Sequence, residues 1–425
     1  MRIAVFDYKV VRNNPIGSCH LRMLEGLSNE HEFVVFAVQF QNPNPSRIRF
    51  VRIPVPTRPL ALLFVAYHLI APIRYWMFRL AGGGRFDAVQ SVESNCLLRA
   101  DIDYAHFCHR RFLKVHWPGL KSKGLRSVLR WWDHFLHSIC EPIVYRRARR
   151  VVVPSRGLQR ELTQEFPNTA DKLSVLANPV RIDHMRKPAD FDRSATRRSL
   201  GLADNDVVLV FTALGHFERK GLPLLLEALA GLKQSNLKLV VVGGEADLVR
   251  NYQTKIDDGG PYAGLTGRVV FAGMQKDVRP FLWMADAFTL PSAYEVFPLV
   301  VLEAAAAGVP IIVTPLNGVE EFCVDGVNGV VIERSAAGVR AGIERFAAMS
   351  SDARAQLGLR AQQDVLKYSV EAFHANWRTI YERYRTDAGL SKSAARTSGR
   401  DSLAATQVEV PAHVARPGAD LSHRL

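Results

Sequence analysis

Two glutamates, Glu295 and Glu303, stand eight positions apart in the segment PSAYEVFPLVVLEAAAAGVPIIVTP and are the residues whose spacing says most about chemistry. The apolar run Phe297–Ala307 predicts a helix opened by Pro298, because proline in a first helical turn has no N–H bond to lose. On a rise of ~1.5 Å per residue the two carboxylates differ by ~12 Å along the axis, which is too far to share a proton. The spacing favours two anchors for the ends of a long ligand, with N–H groups of the helix N-terminus offered to an anion between them.

A second group of charged residues follows the apolar run Val207–Ala213, which predicts a strand. The loop after it carries Gly215, Arg219 and Lys220, and a helical pattern comes next. Two cations at the carboxyl end of a strand, beside a helix N-terminus, suit a diphosphate, although a solvated basic turn is the alternative. Gly243 follows the next strand, where a glycine permits close approach of a ligand but is also common in ordinary turns.

Histidines form a third group. His106, Cys108 and His109 follow a predicted strand in DYAHFCHRR, and either they fill a cleft between domains or one of them binds a ligand. As a metal site the three lack a fourth ligand and the usual spacing. His134 and His137 share one helix face beside tryptophans and are predicted to pack there. The sequence therefore predicts no metal site.

Composition narrows the classes of protein. At 425 residues the chain is long enough for more than one core, and 48% hydrophobic with 23% charged residues is ordinary for a globular protein. Five scattered cysteines without a CxxC pair argue against a disulfide framework and favour a reducing cytoplasm. The start, MRIAVFDYKV, reads as a strand rather than a signal peptide. The net charge of +14 predicts an anionic partner, either nucleotide phosphates or an acidic membrane; no nucleic-acid-binding motif accompanies it.

Short apolar runs alternate with helical patterns in two series, which predicts two doubly wound α/β domains with parallel sheets. The predicted strands of the first series are Ile3–Phe6, Phe33–Val38, Ala88–Ser91, Ile102–Phe107 and Val151–Pro154, and its helices are Cys19–Leu27, Leu125–Arg147 and Gly157–Phe166. The strands of the second are Val207–Ala213, Leu237–Val242, Val269–Ala272, Ala287–Leu290, Ile311–Thr314 and Val330–Ile332, and its helices are Leu222–Leu232, Val278–Met284, Phe297–Ala307 and Ala336–Met349.

The polar stretch Arg181–Arg198 marks the predicted join between the domains, which assigns residues 1–180 to the first and 181–370 to the second. A last amphipathic pattern predicts a helix over 371–386. Residues 387–425 lack apolar periodicity and are predicted to be a disordered tail. Ligands of open α/β sheets bind at the carboxyl ends of strands, so the cleft between the domains is the expected site.

Taken together, ERKG at residues 218–221, VGG at 242–244, the two-glutamate segment and NGVEEFCVDGVNG resemble the C-terminal half of retaining glycosyltransferases of family four. The resemblance extends over roughly residues 1–385 and is strongest over 205–335. It implies the GT-B architecture, in which two Rossmann-like domains face a cleft and a C-terminal helix crosses back to the N-terminal domain.

The resemblance also implies roles for individual residues. Glu303 would hold the ribose hydroxyls of a nucleotide-sugar donor, and Glu295 would contact the transferred sugar. Arg219 and Lys220 would neutralise the leaving diphosphate, beside Gly215 and Gly243. His109 would match the family histidine that meets the donor sugar.

Further contacts with the donor are implied around these. Backbone N–H groups for the phosphates would come from Phe297, Leu299 and Val300. Thr314 and Glu321 would add nucleotide-side contacts, and Gly17 would match a glycine-rich loop after the first strand. Val296 departs from the family pattern, which commonly has glycine there, so the resemblance leaves the type of donor sugar open.

The implied activity is transfer of a sugar from a UDP- or GDP-sugar to a hydroxyl of a glycan or lipid-linked acceptor, with retention and with no metal or cofactor. A nucleotide-sugar epimerase with Glu295 as its acid/base group, or a non-catalytic sugar-binding protein, are the alternatives. Leu60–Leu80 is strongly apolar and Lys114–Arg150 is basic and tryptophan-rich. These segments predict either attachment to the inner face of an anionic membrane or a helix buried in the first domain.

Overall fold

Two parallel β-sheets, each covered by helices, organise the chain in the computed structural model, which describes residues 1–97, 100–119, 124–257 and 260–394. The first sheet has seven strands in the order β3-β2-β1-β4-β5-β6-β7. Its strands are Arg2–Val10 (β1), Glu32–Phe40 (β2), Ile48–Arg52 (β3), Ala88–Val92 (β4), Ile102–Tyr104 (β5), Arg150–Val153 (β6) and Leu173–Val175 (β7). Its helices are Pro15–Leu27 (α1), Leu60–Phe78 (α2), the single turn His109–Arg111 (α3), Leu125–Arg147 (α4) and Arg156–Glu165 (α5).

The second sheet has six strands in the order β10-β9-β8-β11-β12-β13. Two short helices lead into it, Ile182–Met185 (α6) and Arg193–Ser199 (α7). Its strands are Val207–Thr212 (β8), Leu237–Val242 (β9), Val269–Gly273 (β10), Ala287–Leu290 (β11), Ile311–Val313 (β12) and Val330–Val331 (β13). Helices Phe217–Lys220 (α8), Leu222–Ala230 (α9), Ala246–Ile256 (α10), Arg279–Met284 (α11), Leu299–Ala306 (α12), Ala336–Ala348 (α13) and Ser351–Asp364 (α14) surround it.

Burial explains why the strands of the second sheet are continuous apolar runs. Val208 through Phe211 of β8 and Leu239 through Val242 of β9 are all buried, because helices cover both faces of the sheet. The first sheet follows the same rule at Phe33 through Ala37 of β2. Both sheets contain only parallel pairings between their named strands, so the carboxyl ends of neighbouring strands meet at one edge. The predicted fold of two Rossmann-like α/β domains is confirmed.

Strand order reverses once in each sheet, between β1 and β4 in the first and between β8 and β11 in the second. At such a point the loops of two neighbouring strands diverge to opposite faces and leave a crevice that ligands use. The loops after β8 and β11 carry the predicted charged residues of the second domain. The fold therefore places them at its switch point.

The segment between the two sheets is ordered around a buried arginine. Arg197 of α7 is fully buried, and its guanidinium pairs with Asp286 at 2.8 Å while donating to the carbonyl oxygens of Met284 and Asp206. Within the polar stretch Arg181–Arg198, helix α7 is thus packed onto the second domain through Arg197.

Residues 1–379 form one unit that contains both sheets. The last helix, Val370–Ala394 (α15), returns to the first domain within this unit: His374 bonds to the carbonyl oxygen of Arg22 at 2.8 Å, and Arg378 pairs with Glu30 at 2.8 Å. Trp377 is buried with its ring 5.2 Å from that of Tyr104.

Residues 380–394 form the last turns of α15. The helix therefore continues through 387–394, where the sequence predicts disorder. The remainder of that predicted tail, 395–425, lies outside the described residues.

The apolar segment at residues 60–80 forms helix α2, which has two different faces. Leu63, Phe64, Tyr67, Ala71 and Tyr75 are buried against the first sheet. Leu62, Val65, Leu69, Ile73, Trp76 and Leu80 recur every three or four residues and are exposed. By length and composition alone, Leu60–Gly83 could also cross a membrane, a test that core helices of soluble proteins pass too. The buried face agrees with the prediction of a helix packed in the first domain, and attachment to a membrane stays a prediction.

Candidate active site

The structure brings three predicted residues into direct contact. Lys220 Nζ lies 2.8 Å from Glu295 Oε1, and Arg219 Nη1 lies 3.1 Å from the same oxygen, which also accepts a hydrogen bond from Ser292 Oγ at 3.0 Å. Burial raises the pKa of the Glu295 carboxyl, but the two cations and these hydrogen bonds outweigh burial, so the pKa is lowered overall. Glu295 is therefore an ionised carboxylate, and both cations are held at one point.

Backbone contacts fix the loop of the cations against the loop of Glu295. The N–H of Ala293 donates to the carbonyl oxygen of Arg219 at 2.8 Å, and the Arg219 guanidinium donates to the carbonyl oxygen of Tyr294. Gly221, with φ +87°, ends the short helix α8 so close to this loop that a Cβ would lie 2.2 Å from the carbonyl oxygen of Pro291. Only glycine fits both the backbone angle and that approach. The sequence KG at 220–221 thus sets the position of Lys220.

Helix α12 begins two residues later than predicted. Pro298 is the N-cap residue rather than the first helical residue, and α12 spans Leu299–Ala306. The N–H groups of Leu299 and Val300 belong to the first turn, where a helix supplies no internal acceptor. Phe297 precedes the helix, and its ring packs on Tyr368 at 5.8 Å. Of the N–H groups predicted to bind an anion, that of Phe297 therefore lies in a loop, and those of Leu299 and Val300 lie in the first turn of the helix.

Glu303 lies inside α12, half-buried and next to the first domain. Withdrawal from water raises the pKa of its carboxyl, and the positive charge of Arg22 of α1 acts in the opposite direction. Arg22 itself donates to the carbonyl oxygen of Pro179 at 2.6 Å, close to where the chain passes between the domains. Glu303 therefore faces the cleft rather than the core of the second domain.

The predicted glycines differ in role. Gly215 stands in open space, with nothing near the position of a Cβ. Gly243 has φ +100°, and a Cβ there would lie 2.1 Å from the carbonyl oxygen of Ala213. The sequence predicted that Gly17 lies on a loop. In the structure it lies in the first turn of α1, where its N–H donates to Asn14 Oδ1 at 2.7 Å. A Cβ on Gly17 would collide with the carbonyl oxygen of Lys9, so this glycine lets α1 approach β1.

Thr314 and Glu321, which were predicted to contact the nucleotide, form hydrogen bonds within the protein. The Thr314 hydroxyl donates to the carbonyl oxygen of Ser292 at 2.9 Å and so supports the loop that ends in Glu295. Glu321 Oε1 accepts the N–H of Arg156, the first residue of α5, at 2.6 Å. Both contacts join elements that border the cleft, and the second joins the two domains.

Val296, where the resemblance leads one to expect glycine, packs on the first domain. Its side chain lies against the apolar cluster that contains Val153 and Leu158, and its carbonyl oxygen accepts a hydrogen bond from Ser155 Oγ at 2.9 Å. Next to it, the Tyr294 hydroxyl donates to Glu161 at 2.9 Å. The loop that carries Glu295 is thus fastened to the first domain on both sides of that residue.

His109 begins the single turn α3 and is held from two directions. Glu141 of α4 accepts the N–H groups of His109 and Arg110 at 2.6 and 3.0 Å. His109 Nδ1 lies 2.9 Å from His134 Nδ1, so one ring donates and the other accepts. Burial lowers the pKa of both imidazoles to about 3, so both are neutral at neutral pH.

Sequence reasoning missed several residues of this region. Glu93 borders His109, and Ser292, Tyr294 and Glu141 position the predicted side chains; His137, which also borders His109, was predicted only to pack. Ser292 and Tyr294 stand within the two-glutamate segment, so their proximity to Glu295 was the available signal. Glu93, His109 and His137 come from three separate elements, and no spacing in the sequence connects them.

Chemically, the switch point of the second sheet offers two cations, a carboxylate and the start of a helix at one edge. The cations and N–H groups suit a diphosphate, and the carboxylates suit hydroxyl groups on either side of it. Such a set can bind a nucleoside diphosphate joined to a sugar and stabilise negative charge as the bond between them breaks.

Both domains match family models. Residues 19–184 match the model described as Glycosyltransferase Family 4, and residues 205–348 match the model described as Glycosyl transferases group 1. Curated relatives include a lipopolysaccharide core biosynthesis glycosyltransferase of Rhizobium meliloti, 36% identical over 40% of this chain and 48% of the relative. Another is a UDP-Gal:alpha-D-GlcNAc-diphosphoundecaprenol alpha-1,3-galactosyltransferase of Escherichia coli, 34% identical over 38% of this chain and 41% of the relative. The chain thus spans about half the length of these curated relatives.

A solved structure shares the architecture across nearly the whole chain. It is an Anabaena protein in complex with UDP and glucose, 19% identical, with a TM-score of 0.67 over 90% of this chain and 100% of that one. At this identity the likeness establishes the fold, which is GT-B. The matches to the family models and the relatives indicate a glycosyltransferase.

Proposed function

We propose that this chain, both of whose domains match glycosyltransferase families, transfers a sugar from a nucleoside-diphosphate sugar to a hydroxyl of a glycan or lipid-linked acceptor. The observation that carries the proposal is the convergence of Lys220, Arg219 and Glu295 at the switch point of the second sheet. UDP is the preferred nucleotide, because the Anabaena neighbour contains UDP and the name of the Escherichia coli relative includes UDP-Gal.

The proposed reaction breaks the bond between the anomeric carbon and the diphosphate, and the leaving diphosphate gains negative charge. Lys220 and Arg219, which pair with Glu295 in the free protein, then also attract the leaving diphosphate, and their interaction with Glu295 weakens. The N–H groups at the start of α12 add to this stabilisation. Because these groups can balance the charge themselves, we propose that the reaction uses no metal and no cofactor.

Glu295 and Glu303 take the two ends of the donor in this proposal. Glu303, beside Arg22 in the cleft, accepts hydrogen bonds from the ribose hydroxyls. Glu295, next to the cations, contacts the sugar. His109 is the first-domain candidate for a contact with that sugar from the opposite wall.

Retention is the proposed stereochemical outcome. The acceptor hydroxyl attacks from the side of the leaving diphosphate and passes its proton to a phosphate oxygen, so that no covalent sugar–enzyme bond forms. This course needs no second carboxylate at the reacting carbon, and it agrees with the assignment of Glu303 to the nucleotide end.

We further propose that the acceptor is reached at the cytoplasmic face of an anionic membrane. Helix α4 packs beside α2 and carries its own exposed stripe: Leu125, Val128, Trp132, Ile139 and Ile143. Arg79 and Arg85 follow the apolar stripe of α2, and the net charge of the chain is +14. Apolar stripes with tryptophan and nearby arginines suit an anionic bilayer surface.

The test is incubation of the purified full chain with a panel of labelled UDP- and GDP-sugars and with lipid-linked and free glycan acceptors. A product linked through the same anomeric configuration as the donor supports the proposal. Conversion of the donor alone into an epimer would support an epimerase, and donor binding without conversion of donor or acceptor would support a sugar-binding protein. Loss of transfer in EDTA, with recovery in magnesium or manganese, would overturn the metal-free step.

A further inference from the structure

Three side chains of the first domain converge in its interior. Glu93 follows β4, His109 begins α3, and His137 lies in α4. Each offers one ligand atom, and these atoms all lie within 4.8 Å of one another. All three residues are withdrawn from solvent.

The contact between Glu93 and His109 is not a hydrogen bond. His109 Nε2 lies 3.6 Å from Glu93 Oε2, beyond hydrogen-bonding distance, and this nitrogen has no hydrogen-bond partner although the side chain is only 7% exposed. A buried polar atom without a partner is costly. For metal–ligand bonds of ~2.0–2.1 Å, two ligands of a tetrahedral site lie ~3.3 Å apart, close to the observed separation.

The second nitrogen of each ring is already engaged. His109 Nδ1 bonds to His134 Nδ1 at 2.9 Å, and His137 Nδ1 bonds to Ser94 Oγ at 2.6 Å. The two rings stack with centroids 4.4 Å apart and planes inclined by 12°. A histidine that binds a metal through Nε2 commonly has its Nδ1 fixed in this way by a neighbour.

We propose that Glu93, His109 and His137 form a binding site for one divalent transition-metal ion, with Zn²⁺ as the preferred occupant. Two neutral imidazoles and one carboxylate are a ligand set that Zn²⁺ takes with a fourth position left to water. Mg²⁺ and Ca²⁺ prefer oxygen ligands and are not expected to bind. Ligand atoms up to 4.8 Å apart must close by up to about 1.5 Å to reach the ~3.3 Å separation of a tetrahedral site, a movement within reach of side-chain rotation.

The metal site is distinct from the proposed transfer step, which draws its charge stabilisation from the second domain. One consequence does rest on the proposed function: a metal on His109 Nε2 excludes that nitrogen from the donor sugar, so an occupied site removes His109 from the proposed donor contacts and leaves those of the second domain in place. Measuring metal binding itself requires no transfer activity, so failure of one proposal leaves the other intact.

The experiment is a titration of the full chain, free of any histidine tag, with Co²⁺ and then Zn²⁺. Co²⁺ is the probe because its visible absorption reports tetrahedral coordination by nitrogen and oxygen. We expect one equivalent of Co²⁺ with a tetrahedral spectrum, displaced by Zn²⁺, and a higher melting temperature with Zn²⁺ because an ion that binds only the folded state stabilises it. Mg²⁺ should produce neither effect.

The variants Glu93→Gln and His137→Gln should each lower Zn²⁺ affinity at least tenfold, while His184→Gln, a histidine at the surface of the second domain, should leave it unchanged. If a buried variant does not fold, the wild-type spectrum and melting shift still decide the matter. No tetrahedral Co²⁺ spectrum in the wild type, or equal affinity in folded Glu93→Gln and the wild type, would overturn the site.

Discussion

Lys220 Nζ and Glu295 Oε1 lie 2.8 Å apart in a site where each side chain is only about 15% exposed (15% and 14%). An exposed surface ion pair contributes little, but this pair is largely buried, Arg219 joins it at 3.1 Å, and both cations share one oxygen. Since Gly221 and the Ala293–Arg219 backbone bond fix the two loops together, the cations are in place before a ligand arrives. The protein thus presents a preassembled positive charge at the point where a leaving diphosphate would gain negative charge.

Removal of one of these cations should slow turnover without unfolding the protein. For Lys220→Ala we expect kcat to fall roughly 10²–10³-fold, the loss typical of a single charge-stabilising group in a transition state. Lys220→Arg keeps the charge and should retain part of the rate. Single-turnover rates with labelled donor measure the effect, and circular dichroism controls for folding. Wild-type turnover in Lys220→Ala would remove this lysine from the reaction.

Replacement of Glu303 should act on nucleotide binding instead. Loss of its hydrogen bonds to a ligand should cost ~1.5–3 kcal/mol, which is roughly ten- to a hundredfold in affinity for the free nucleotide in Glu303→Ala. The matched variant is Glu295→Ala, which should lower turnover more than nucleotide affinity because its proposed partner is the sugar. Calorimetry with UDP separates the two. Equal UDP affinity in Glu303→Ala and the wild type would contradict the assignment of the nucleotide end.

Much of the fold followed from the sequence because buried parallel strands are continuous apolar runs. Every predicted strand of the second series overlaps an observed one. Strand β3 was missed because IRFVR is short and only Ile48 in it is buried at the sheet edge, and β7 because it has only three residues. Helix α14 was missed because SDARAQLGLRAQQD buries little of its surface.

The contacts among the predicted site residues could not be predicted from the sequence. Arg219, Lys220 and Glu295 were each singled out, but their mutual ion pairs depend on two loops meeting at the switch point. No local spacing in the sequence encodes that meeting. For Gly17 the predicted position itself was wrong. A glycine that follows a strand was interpreted as part of a loop, but in the structure this glycine allows α1 to pack closely against β1.

Arg197 should matter for stability rather than activity. Its guanidinium is buried, pairs with Asp286 and donates to the backbone carbonyls of Met284 and Asp206. Arg197→Met should lower the free energy of unfolding by about 3 kcal/mol, because breaking a buried pair leaves its partners without compensation. Arg193 also pairs with Asp286 but is more exposed, so Arg193→Met should cost less than ~1 kcal/mol. Urea midpoints followed by circular dichroism measure both, and equal midpoints for the two variants would contradict the ranking.

His106 should make the folded state sensitive to acid. Burial, with a smaller contribution from His20, lowers the pKa of its imidazole from 6.5 to about 3. Below pH 6.5 the unfolded chain therefore binds a proton that the folded chain does not, so stability falls as pH falls from 6.5 towards 3.

His106→Phe keeps an aromatic ring beside Tyr104, whose ring centroid lies 4.1 Å away, but cannot take up a proton. Between pH 5.5 and 4.5, wild-type stability should fall by about 1.4 kcal/mol more per pH unit than that of His106→Phe. Denaturant unfolding at a series of pH values gives both slopes. Identical slopes would show that His106 takes up its proton equally in the folded and unfolded states.

The exposed stripe of α2 leads to the last prediction. Leu69 is 64% exposed and Ile73 is 53% exposed, one turn apart on the face that does not contact the sheet. If this face enters an anionic bilayer, the wild-type chain should sediment with anionic liposomes at low salt and release as salt rises, since surface charge attraction is screened.

The double variant Leu69→Glu with Ile73→Glu removes two apolar side chains, each worth ~1.5–3 kcal/mol on burial, and should bind at least about a hundredfold more weakly. The double variant Leu359→Glu with Leu366→Glu, at two exposed leucines of the second domain, adds the same charge; it is the matched control and should bind as the wild type does. Wild-type protein that stays in the supernatant with anionic liposomes at low salt would leave a soluble acceptor as the substrate to test.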